Sequence, residues 1–592
     1  MRDYLIIEST PGDDLEERRS AEAIVLATGA WTKVAQRRWF SVFLETEKPP
    51  RYRHLPGVAG ALIGEVFDAE AARAGRGQDI DMLGFGAEAD SAARRLIERG
   101  FGRYVAILND DAGPARVLRD PLGAMNAIGW RRGALRFIAS RLPDIPGIRP
   151  SELVVDWQAA VDILRQKNLA SLVTPLEGVV TFPPGVLADE AGRGARLWSP
   201  ARFARTPLTG VVPRDLRVLV DGVVAAWVQR REGLFCEMSG GLDSAIVATS
   251  LASVGAPLRY GLNHAYPERE GDERRFAQDL ADRIGVPLVV VERQPLRLTA
   301  DKILAGAGGM RLNYAGGDPE HDADLAARHS EPGIDAMFTG CGGDGVFFQP
   351  AHPSLVRDVL RGRCGARLAS LDVLARRNAT TVWSILRRGL KPQDVTAGAG
   401  VEQFLDARVL TTPVRKHPWL DEARDIEPAK QLQILMLVNG LSVLGDSLHH
   451  AAGDVIDPLM SQPVVEFCLS APAGVLAVGE LNRPFARRAF AERLPASILE
   501  RPSKGAVTNF ILRSLGSSLD SLRPFLLDGL LAKAGVLDRE RLDEALQREQ
   551  FLWSNTASQA FILLAMEAWT RRWTGAQALG RAEVAYGAAT SV

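Results

Sequence analysis

After residue 213 the sequence alternates short apolar runs with longer amphipathic segments, and this alternation constrains the fold more than any other feature. Glycine-rich or charged turns separate the two kinds of segment. The predicted strands are Leu234–Met238, Leu258–Asn263, Leu288–Glu292 and Ile334–Thr339, and helices are predicted from Ser244 onward and over Asp272–Ile284. Strands that alternate with helices indicate a parallel sheet with helices on both faces. From about residue 355 onward the pattern is mostly helical.

The first two hundred residues have a different organisation, in which Gly, Pro and charged turns separate short apolar runs. This pattern is typical of a β-rich region. Two helices are predicted within it, at Asp90–Arg99 and Asp156–Ala170. Two short strands joined by a Gly/Arg turn are predicted near its end, between Val179 and Pro200.

A proline-punctuated segment without periodicity separates these two regions at about residues 200–213. The length of 592 residues alone would suggest about four domains. The change of pattern reduces that number to two, which we predict at residues 1–205 and 206–592.

Composition and charge exclude several classes of protein. A net charge of -1 argues against a generally basic nucleic-acid-coating protein. The first residues contain no apolar segment of the kind that a secretion signal needs. The longest apolar stretch, Leu432–Leu444, is shorter than a membrane span and contains Gln433 and Asn439, so a buried helix is predicted there.

Cysteine is scarce, and no C-x-x-C pair occurs, which argues against zinc ribbons and redox dithiols. This usage favours a reducing, cytoplasmic location. The first 235 residues contain no cysteine. The four cysteines are Cys236, Cys341, Cys364 and Cys468.

The most specific motif directly follows the first strand of the alternating region and begins a helix. Two glycines let the backbone turn tightly and approach an anion, which the unpaired amides of a helix N-terminus then bind. An aspartate fits such a phosphate cradle when it holds Mg²⁺, which bridges carboxylate and phosphates. The alternative is a capped turn without a ligand. The motif comprises Ser239, Gly240, Gly241, Leu242, Asp243 and Ser244.

A second glycine-rich segment, Thr339–Gly345, follows the last predicted strand. Its G-x-G-x-x-G string also occurs in dinucleotide-binding loops, but two nearby prolines would interrupt the helix that such a loop requires. Carboxyl ends of parallel strands meet at one sheet edge, where ligands bind. We therefore expect Asp344 and Asp243 to share one Mg²⁺ ion and Gly340 to contact the nucleotide. The alternative for Asp344 is a loop residue without a ligand.

These motifs resemble those of a known enzyme family. The string S-G-G-L-D-S matches the pyrophosphate loop of ATP pyrophosphatases, and with the second segment it resembles the asparagine synthetase superfamily. The resemblance implies a PP-loop α/β domain with a helical C-terminal extension, which uses ATP and Mg²⁺ and cleaves ATP between its α and β phosphates. Cys341 and Gly345 depart from the family's acidic residues, whereas Asp344 matches its metal ligand.

Residues next to the loop are expected to line the nucleotide pocket. Met238 directly precedes the loop, and Asn263, His264 and Tyr266 lie at the end of the second strand. Main-chain contacts to adenine are expected there.

The resemblance extends to the N-terminal region, where A-L-I-G-E-V-F-D and G-R-Y-V-A-I-L-N-D look like pieces of the family's glutamine amidotransferase domain. It implies an α+β sandwich of the Ntn-hydrolase, glutaminase-like type. That glutaminase needs a cysteine at the mature N-terminus, but Arg2 occupies position 2 and no cysteine precedes Cys236. Without a thiolate the mechanism has no nucleophile, so we expect a silent domain.

Asp457–Glu466, with the sequence D-P-L-M-S-Q-P-V-V-E, resembles lasso-peptide cyclases more than asparagine synthetases, because Ser461 replaces an aspartate. The alternative is a turn and the start of a core helix. Arg501–Gly505 resembles the family's basic loop, which implies that Lys504 neutralises charge during catalysis. Asp454 lies near the position of a family glutamate and is a second, weaker catalytic candidate.

Together the resemblances imply an ATP-dependent cyclase that adenylates an Asp or Glu side chain of a ribosomal core peptide and joins it to the peptide's N-terminal amine. A leader-binding protein and a leader peptidase are the expected partners, without nucleic acid. The alternatives are a β-lactam synthetase-like enzyme and a peptide-binding protein without catalysis.

Overall fold

The structure is a computed structural model. It describes residues 3–9, 15–55, 60–82, 85–86, 88–109, 114–208, 210–267, 271–312, 314, 318–363, 367–391, 400–443, 446–502, 505, 508–547, 551 and 556–574.

The N-terminal region contains twelve described strands in two antiparallel sheets. They are β1 Tyr4–Glu8, β2 Trp31–Gln36, β3 Phe40–Glu45, β4 Tyr52–Leu55, β5 Gly60–Asp68, β6 Gly100–Leu108, β7 Arg116–Arg119, β8 Ile128–Arg132, β9 Leu135–Ala139, β10 Val180–Thr181, β11 Val186–Ala188 and β12 Gly194–Arg196. The first sheet has the order β10-β8-β9-β1-β3-β2, and the second has the order β12-β11-β7-β6-β5-β4.

The two sheets pack face to face, because their strands alternate between two apolar faces. Tyr4 and Ile6 of β1 share a buried core with Ile63 and Ile107 of the second sheet. The opposite faces of both sheets are covered by helices. This sandwich with helices outside is compatible with the expected glutaminase-like domain, and its specific relation to Ntn hydrolases stays a prediction.

A third sheet, which is parallel, lies in the second region. Its strands are β13 Leu234–Glu237, β14 Leu258–Ala265, β15 Leu288–Glu292, β16 Ala336–Phe338 and β17 Asp454–Ile456. Their order is β15-β14-β13-β16-β17, and every neighbouring pair is parallel. The predicted parallel sheet is therefore confirmed, with β17 as an additional edge strand.

The described helices cover both sheet faces and form most of the C-terminal part. They are α1 Leu15–Ala27, α2 Ala69–Arg73, α3 Ala89–Arg99, α4 Trp157–Arg165, α5 Pro200–Arg205, α6 Pro213–Val228, α7 Leu242–Ser253, α8 Arg274–Ile284, α9 Ala300–Ala305, α10 Pro319–Arg328, α11 Gly343–Val346, α12 Val356–Leu360, α13 Arg367–Arg377, α14 Val382–Leu390, α15 Pro418–Glu422, α16 Pro428–Val443, α17 Leu448–Ala452, α18 Gln462–Ser470, α19 Ala473–Ala477, α20 Pro484–Phe490, α21 Ala496–Leu499, α22 Thr508–Leu527, α23 Leu530–Lys533, α24 Arg539–Ala545 and α25 Thr556–Thr574.

The apolar stretch at 432–444 lies largely within α16, whose buried face includes Ile434, Leu437 and Val438. Among the described residues, no helix combines the length and the apolar composition that crossing a membrane requires. The prediction of a buried helix there is confirmed.

Candidate nucleotide site

The loop after β13 has the geometry of an anion cradle. Gly240 has a φ of +72°, and a Cβ there would lie 3.0 Å from the Glu273 backbone, so the turn requires glycine. α7 begins directly after Gly241, which has no side chain to cap the first amides. The Ser239 and Ser244 hydroxyls lie 3.1 Å apart across the loop. Amides and hydroxyls therefore converge where the positive end of the helix dipole favours an anion.

The second glycine-rich segment packs directly on this loop. A Cβ on Gly340 would lie 2.7 Å from the Asp243 carbonyl carbon, and a Cβ on Gly343 would lie 2.7 Å from the Asp243 Cβ. Such distances are too short for any side chain, so both positions require glycine. Gly342 has a φ of +82° and precedes α11. The glycines thus let two loops from neighbouring strands touch at the carboxyl edge of the sheet.

This packing brings the two expected metal ligands together around one cation. Arg483 Nη1 donates to a carboxylate oxygen of Asp243 and, at 2.7 Å, to Oδ1 of Asp344. The Arg483 side chain is only 2% exposed. It is held there by a left-handed backbone conformation, with a φ of +52°, directly before α20. The two carboxylates therefore converge on a single nitrogen of the Arg483 guanidinium.

The donor set fits Mg²⁺, because hard carboxylate oxygens are the ligands that this ion prefers and it commonly binds through one or two of them plus phosphates. Asp344 is partly exposed, whereas Asp243 is buried at the start of α7. In the described structure Arg483 supplies the positive charge between them. A bound Mg²⁺ ion and Arg483 would compete for the same oxygens.

The expected basic loop approaches from the other side. Arg501 donates to the Gly240 carbonyl at 3.1 Å, pairs with Glu273 at 2.7 Å and stacks on the Phe276 ring. The Gly505 amide donates to the same Glu273 carboxylate at 2.9 Å. Lys504 itself lies outside the described residues, so its expected role stays a prediction. The described residues on either side of it, Arg501 and Gly505, form hydrogen bonds with Gly240 and Glu273.

A partly buried acid lies at the same edge of the sheet. Asp457, directly after β17, accepts a hydrogen bond from the Thr339 hydroxyl, which in turn accepts from the Cys341 amide at 3.0 Å. Burial raises the pKa of Asp457, and the hydrogen bond from Thr339 opposes this increase. This group links β16 and β17 below the second loop.

The other expected nucleotide contacts involve buried residues. Met238 is fully buried, and its amide donates to the Leu262 carbonyl. The Asn263 side chain donates to the Met238 carbonyl at 2.6 Å. Leu242 places its side chain in the core, so only its backbone can face an anion. The predicted contacts by Met238, Leu242 and Asn263 stay predictions, and the first two are restricted to the backbone.

Asp454 is not at this edge, and its expected catalytic role stays a prediction. It begins β17 and lies opposite Ala336, at the amino end of β16. Its side chain is 3% exposed and pairs at 3.1 Å with both Arg103 of β6 and Arg231. The resemblance placed Asp454, four residues before Pro458, near the position of a family glutamate, and the strand direction places it at the end of β17 away from the loops. The ion pair with Arg103 connects β17 to the sandwich.

The S-Q-P segment also serves packing. The Ser461 hydroxyl accepts from the Trp227 indole at 3.0 Å, and the Gln462 side chain donates to the Ile97 carbonyl at 2.8 Å. Glu466 accepts from Trp198 at 2.9 Å and pairs with Arg73 at 3.0 Å. The segment is a 3-10 turn followed by a core helix, α18, which was the alternative that the sequence left open.

Sequence reasoning missed Arg483 and Arg501. Arg483 lies 240 residues from Asp243 in the chain, and an isolated arginine has no local signature. A weak signal existed for Arg501, because it belongs to the basic segment in which only Lys504 was selected.

A glycine-lined anion cradle and paired carboxylates at the carboxyl edge of a parallel sheet define a nucleotide-binding α/β enzyme domain. The chain belongs to the asparagine synthase family, whose family model matches residues 215–571, about three-fifths of its length. It is therefore an ATP-binding ligase of the kind that forms amide bonds at the expense of ATP. A search among curated proteins found no match.

Proposed function

We propose that the protein is a lasso-peptide cyclase, an AMP-forming enzyme that closes an isopeptide ring between a side-chain carboxylate and the N-terminal amine of one core peptide. The observation that carries the proposal is the convergence of Asp243 and Asp344 beside the anion cradle. This arrangement suits activation of a carboxylate by ATP, since amide formation from a carboxylate and an ammonium ion does not proceed unaided.

The amine comes from the peptide rather than from glutamine. The sandwich region contains no cysteine, so a thiolate nucleophile for glutamine hydrolysis is missing there. Retention of the sandwich without this nucleophile is consistent with a structural role, in which it supports the parallel sheet through contacts such as Asp454 with Arg103.

In the activation step the peptide carboxylate attacks the α-phosphorus of ATP and pyrophosphate leaves. Bound Mg²⁺ supplies a positive charge that neutralises the phosphates and would be held by Asp243 and Asp344. The loop hydroxyls of Ser239 and Ser244 and the α7 amides bind pyrophosphate as its charge develops. Gly240 and Gly340 keep the backbone close to the phosphates, because neither position admits a side chain.

In the second step the N-terminal amine attacks the activated carbonyl, and AMP is the leaving group. The amine loses a proton to solvent or to a nearby base. Lys504 stabilises the negative charge on the reacting groups. Arg501 and Gly505, on either side of it, hold this loop against Gly240 and Glu273. The site must also exclude water, which would hydrolyse the adenylate.

Assignment to the lasso branch is supported by the resemblance of Asp457–Glu466 and by the absence of a glutaminase thiol. This assignment also implies two partners, a leader-binding protein and a leader peptidase, and a cytoplasmic location. A β-lactam synthetase-like enzyme would use the same activation on a small β-amino acid.

The test uses the full-length protein with ATP, MgCl₂ and a synthetic library of linear peptides that carry one Asp or Glu at varied distances from a free N-terminus. We expect at least one peptide to lose one water and become resistant to aminopeptidase, with one AMP and one pyrophosphate formed for each ring. The matched peptide with an acetylated N-terminus should give no ring.

Other results would contradict the proposal. Turnover of a small β-amino acid, without any peptide product, would assign the enzyme to the β-lactam type. Peptide binding without AMP would identify a protein that has lost catalysis. Release of ammonia from glutamine would show that the sandwich is an active glutaminase.

A further inference from the structure

One group of nitrogen and oxygen donors lies beside the nucleotide loop and has no assigned step in the proposed chemistry, although His264 was also expected to line the nucleotide pocket. It consists of Glu237 at the end of β13, His264 on β14 and His321 on α10. One ring nitrogen from each histidine and one carboxylate oxygen lie within 4.8 Å of one another. His321 Nε2 is 3.7 Å from Glu237 Oε1, and the two imidazole rings are 4.3 Å apart.

The strand register explains why these residues meet. Glu237 lies opposite Leu262 in the parallel pairing, so His264, two residues further along, projects from the same face of the sheet. α10 covers this face, where Leu325 packs on Leu262. His321 lies one turn earlier on the same side of α10. Three separate elements therefore contribute one donor each.

His264 is oriented as a metal ligand. Its Nε2 is 3.0 Å from Asp324 Oδ2, and Arg328 holds that carboxylate at 3.0 Å. Its Nδ1 is buried and has no hydrogen-bond partner among the residues that the structure describes. The imidazole side chain is only 3% exposed. A histidine that donates one N–H to a carboxylate and keeps its other nitrogen for an ion is the usual arrangement at zinc sites.

The geometry points to a divalent transition-metal site, with Zn²⁺ as the preferred ion, formed by Glu237, His264 Nδ1 and His321 Nε2. Tetrahedral zinc ligands at 2.0–2.2 Å from the ion lie about 3.4 Å apart. The 3.7 Å separation of His321 and Glu237 is close to this value. Three protein ligands leave a fourth position open.

The donor set separates this site from the Mg²⁺ site. Two imidazoles and one carboxylate favour Zn²⁺, whereas Mg²⁺ requires oxygen ligands. Glu237 directly precedes Met238 and the loop, so an ion here would fasten the strand that carries the anion cradle to α10. The site goes beyond the proposed cyclase activity and does not depend on it.

The test measures Zn²⁺ binding by the chelator-treated full-length protein in competition with a chromogenic chelator, together with the visible absorption of bound Co²⁺. We expect one tightly bound Zn²⁺ per chain and a Co²⁺ spectrum of low coordination number. Glu237→Gln and His321→Ala should abolish this binding. Asp324→Asn should weaken it by about 10- to 100-fold, because it removes the orienting carboxylate.

Two control variants define the site. His54→Ala changes an exposed histidine of β4 and should bind Zn²⁺ like the wild type. Asp243→Asn should also bind Zn²⁺ tightly. This result would show that the Zn²⁺ site does not include the carboxylates expected to hold Mg²⁺. Circular dichroism and thermal unfolding establish that each variant is folded. Absence of tight Zn²⁺ binding by the wild type would overturn the assignment, as would unchanged binding in folded Glu237→Gln and His321→Ala.

Discussion

At the residue scale, Arg483 is the most informative side chain of the site. It is almost fully buried and contacts both carboxylates that Mg²⁺ would use. Its backbone has a φ of +52°, a conformation that costs a non-glycine residue of order 1–3 kcal/mol. The surrounding structure stabilises this conformation. The side chain neutralises two acids, Asp243 and Asp344, which would otherwise repel each other across the loops.

Replacement of Arg483 by Ala should make the stability of the folded protein depend on Mg²⁺. Breaking a buried ion pair typically lowers the free energy of unfolding by about 3–5 kcal/mol. Because the variant leaves the oxygens of Asp243 and Asp344 without their guanidinium, added MgCl₂ should stabilise it more than it stabilises the wild type. Thermal unfolding with and without MgCl₂ measures the difference.

Arg493→Ala is the matched control, because Arg493 forms a bidentate pair with Asp221 away from the loops, at 2.8 Å. It should respond to MgCl₂ like the wild type. An equal response of the Arg483 variant would show that the two carboxylates do not form a common cation site.

At the element scale, the site depends on direct contact between the loops that follow β13 and β16. We expect Gly340→Ala to reduce the rate of AMP formation by about 100-fold, because displacement of reacting groups by about 1 Å has effects of this size. Its Cβ would lie 2.7 Å from the Asp243 carbonyl carbon. Steady-state AMP release at saturating ATP measures this loss.

Gly440→Ala provides the control within the same chain. A Cβ at Gly440, inside α16, meets no atom within 4 Å. This change should leave AMP formation intact and stabilise the helix by about 0.5–1 kcal/mol. Wild-type rates in the Gly340 variant would mean that the loops need not touch for catalysis.

Local patterns predicted these elements well. β15 was predicted with its observed ends, and β13, β14 and β16 were predicted within two residues, because buried strands between glycine turns have a clear local signal. β17 was missed, since it has three residues and pairs with a strand more than a hundred residues earlier. The loops that carry Asp243 and Asp344 were identified from their glycines, whose steric role the structure explains.

Other parts of the site could not be derived locally. The resemblance that made Asp454 a catalytic candidate does not show the end of a strand at which a residue lies, and the structure places Asp454 at the amino end of β17. Arg483 contacts a residue 240 positions away, and its importance follows only from tertiary packing. The same holds for His321, which reaches Glu237 and His264 only because α10 packs on the sheet.

At the scale of the whole molecule, the sandwich and the parallel sheet are connected through buried polar contacts. Glu466 of α18 binds Trp198 and Arg73, and Gln462 binds the carbonyl of Ile97. Residues that suggested a family branch are thus used to join the two regions. A sandwich without a thiol remains useful to such a molecule, because these contacts position α18 and the strand before it. The division at residue 205 stays a prediction.

In the proposed reaction a peptide carboxylate attacks the α-phosphorus of ATP. The most direct measurement follows ¹⁸O from a peptide whose Asp or Glu side-chain carboxylate carries the isotope in both oxygens. Because the amine displaces AMP from the carbonyl carbon, one labelled oxygen should appear in AMP and the other should remain in the ring amide. Label in inorganic phosphate with ADP as the nucleotide product, or ring formation with unlabelled AMP, would contradict adenylation of the peptide carboxylate.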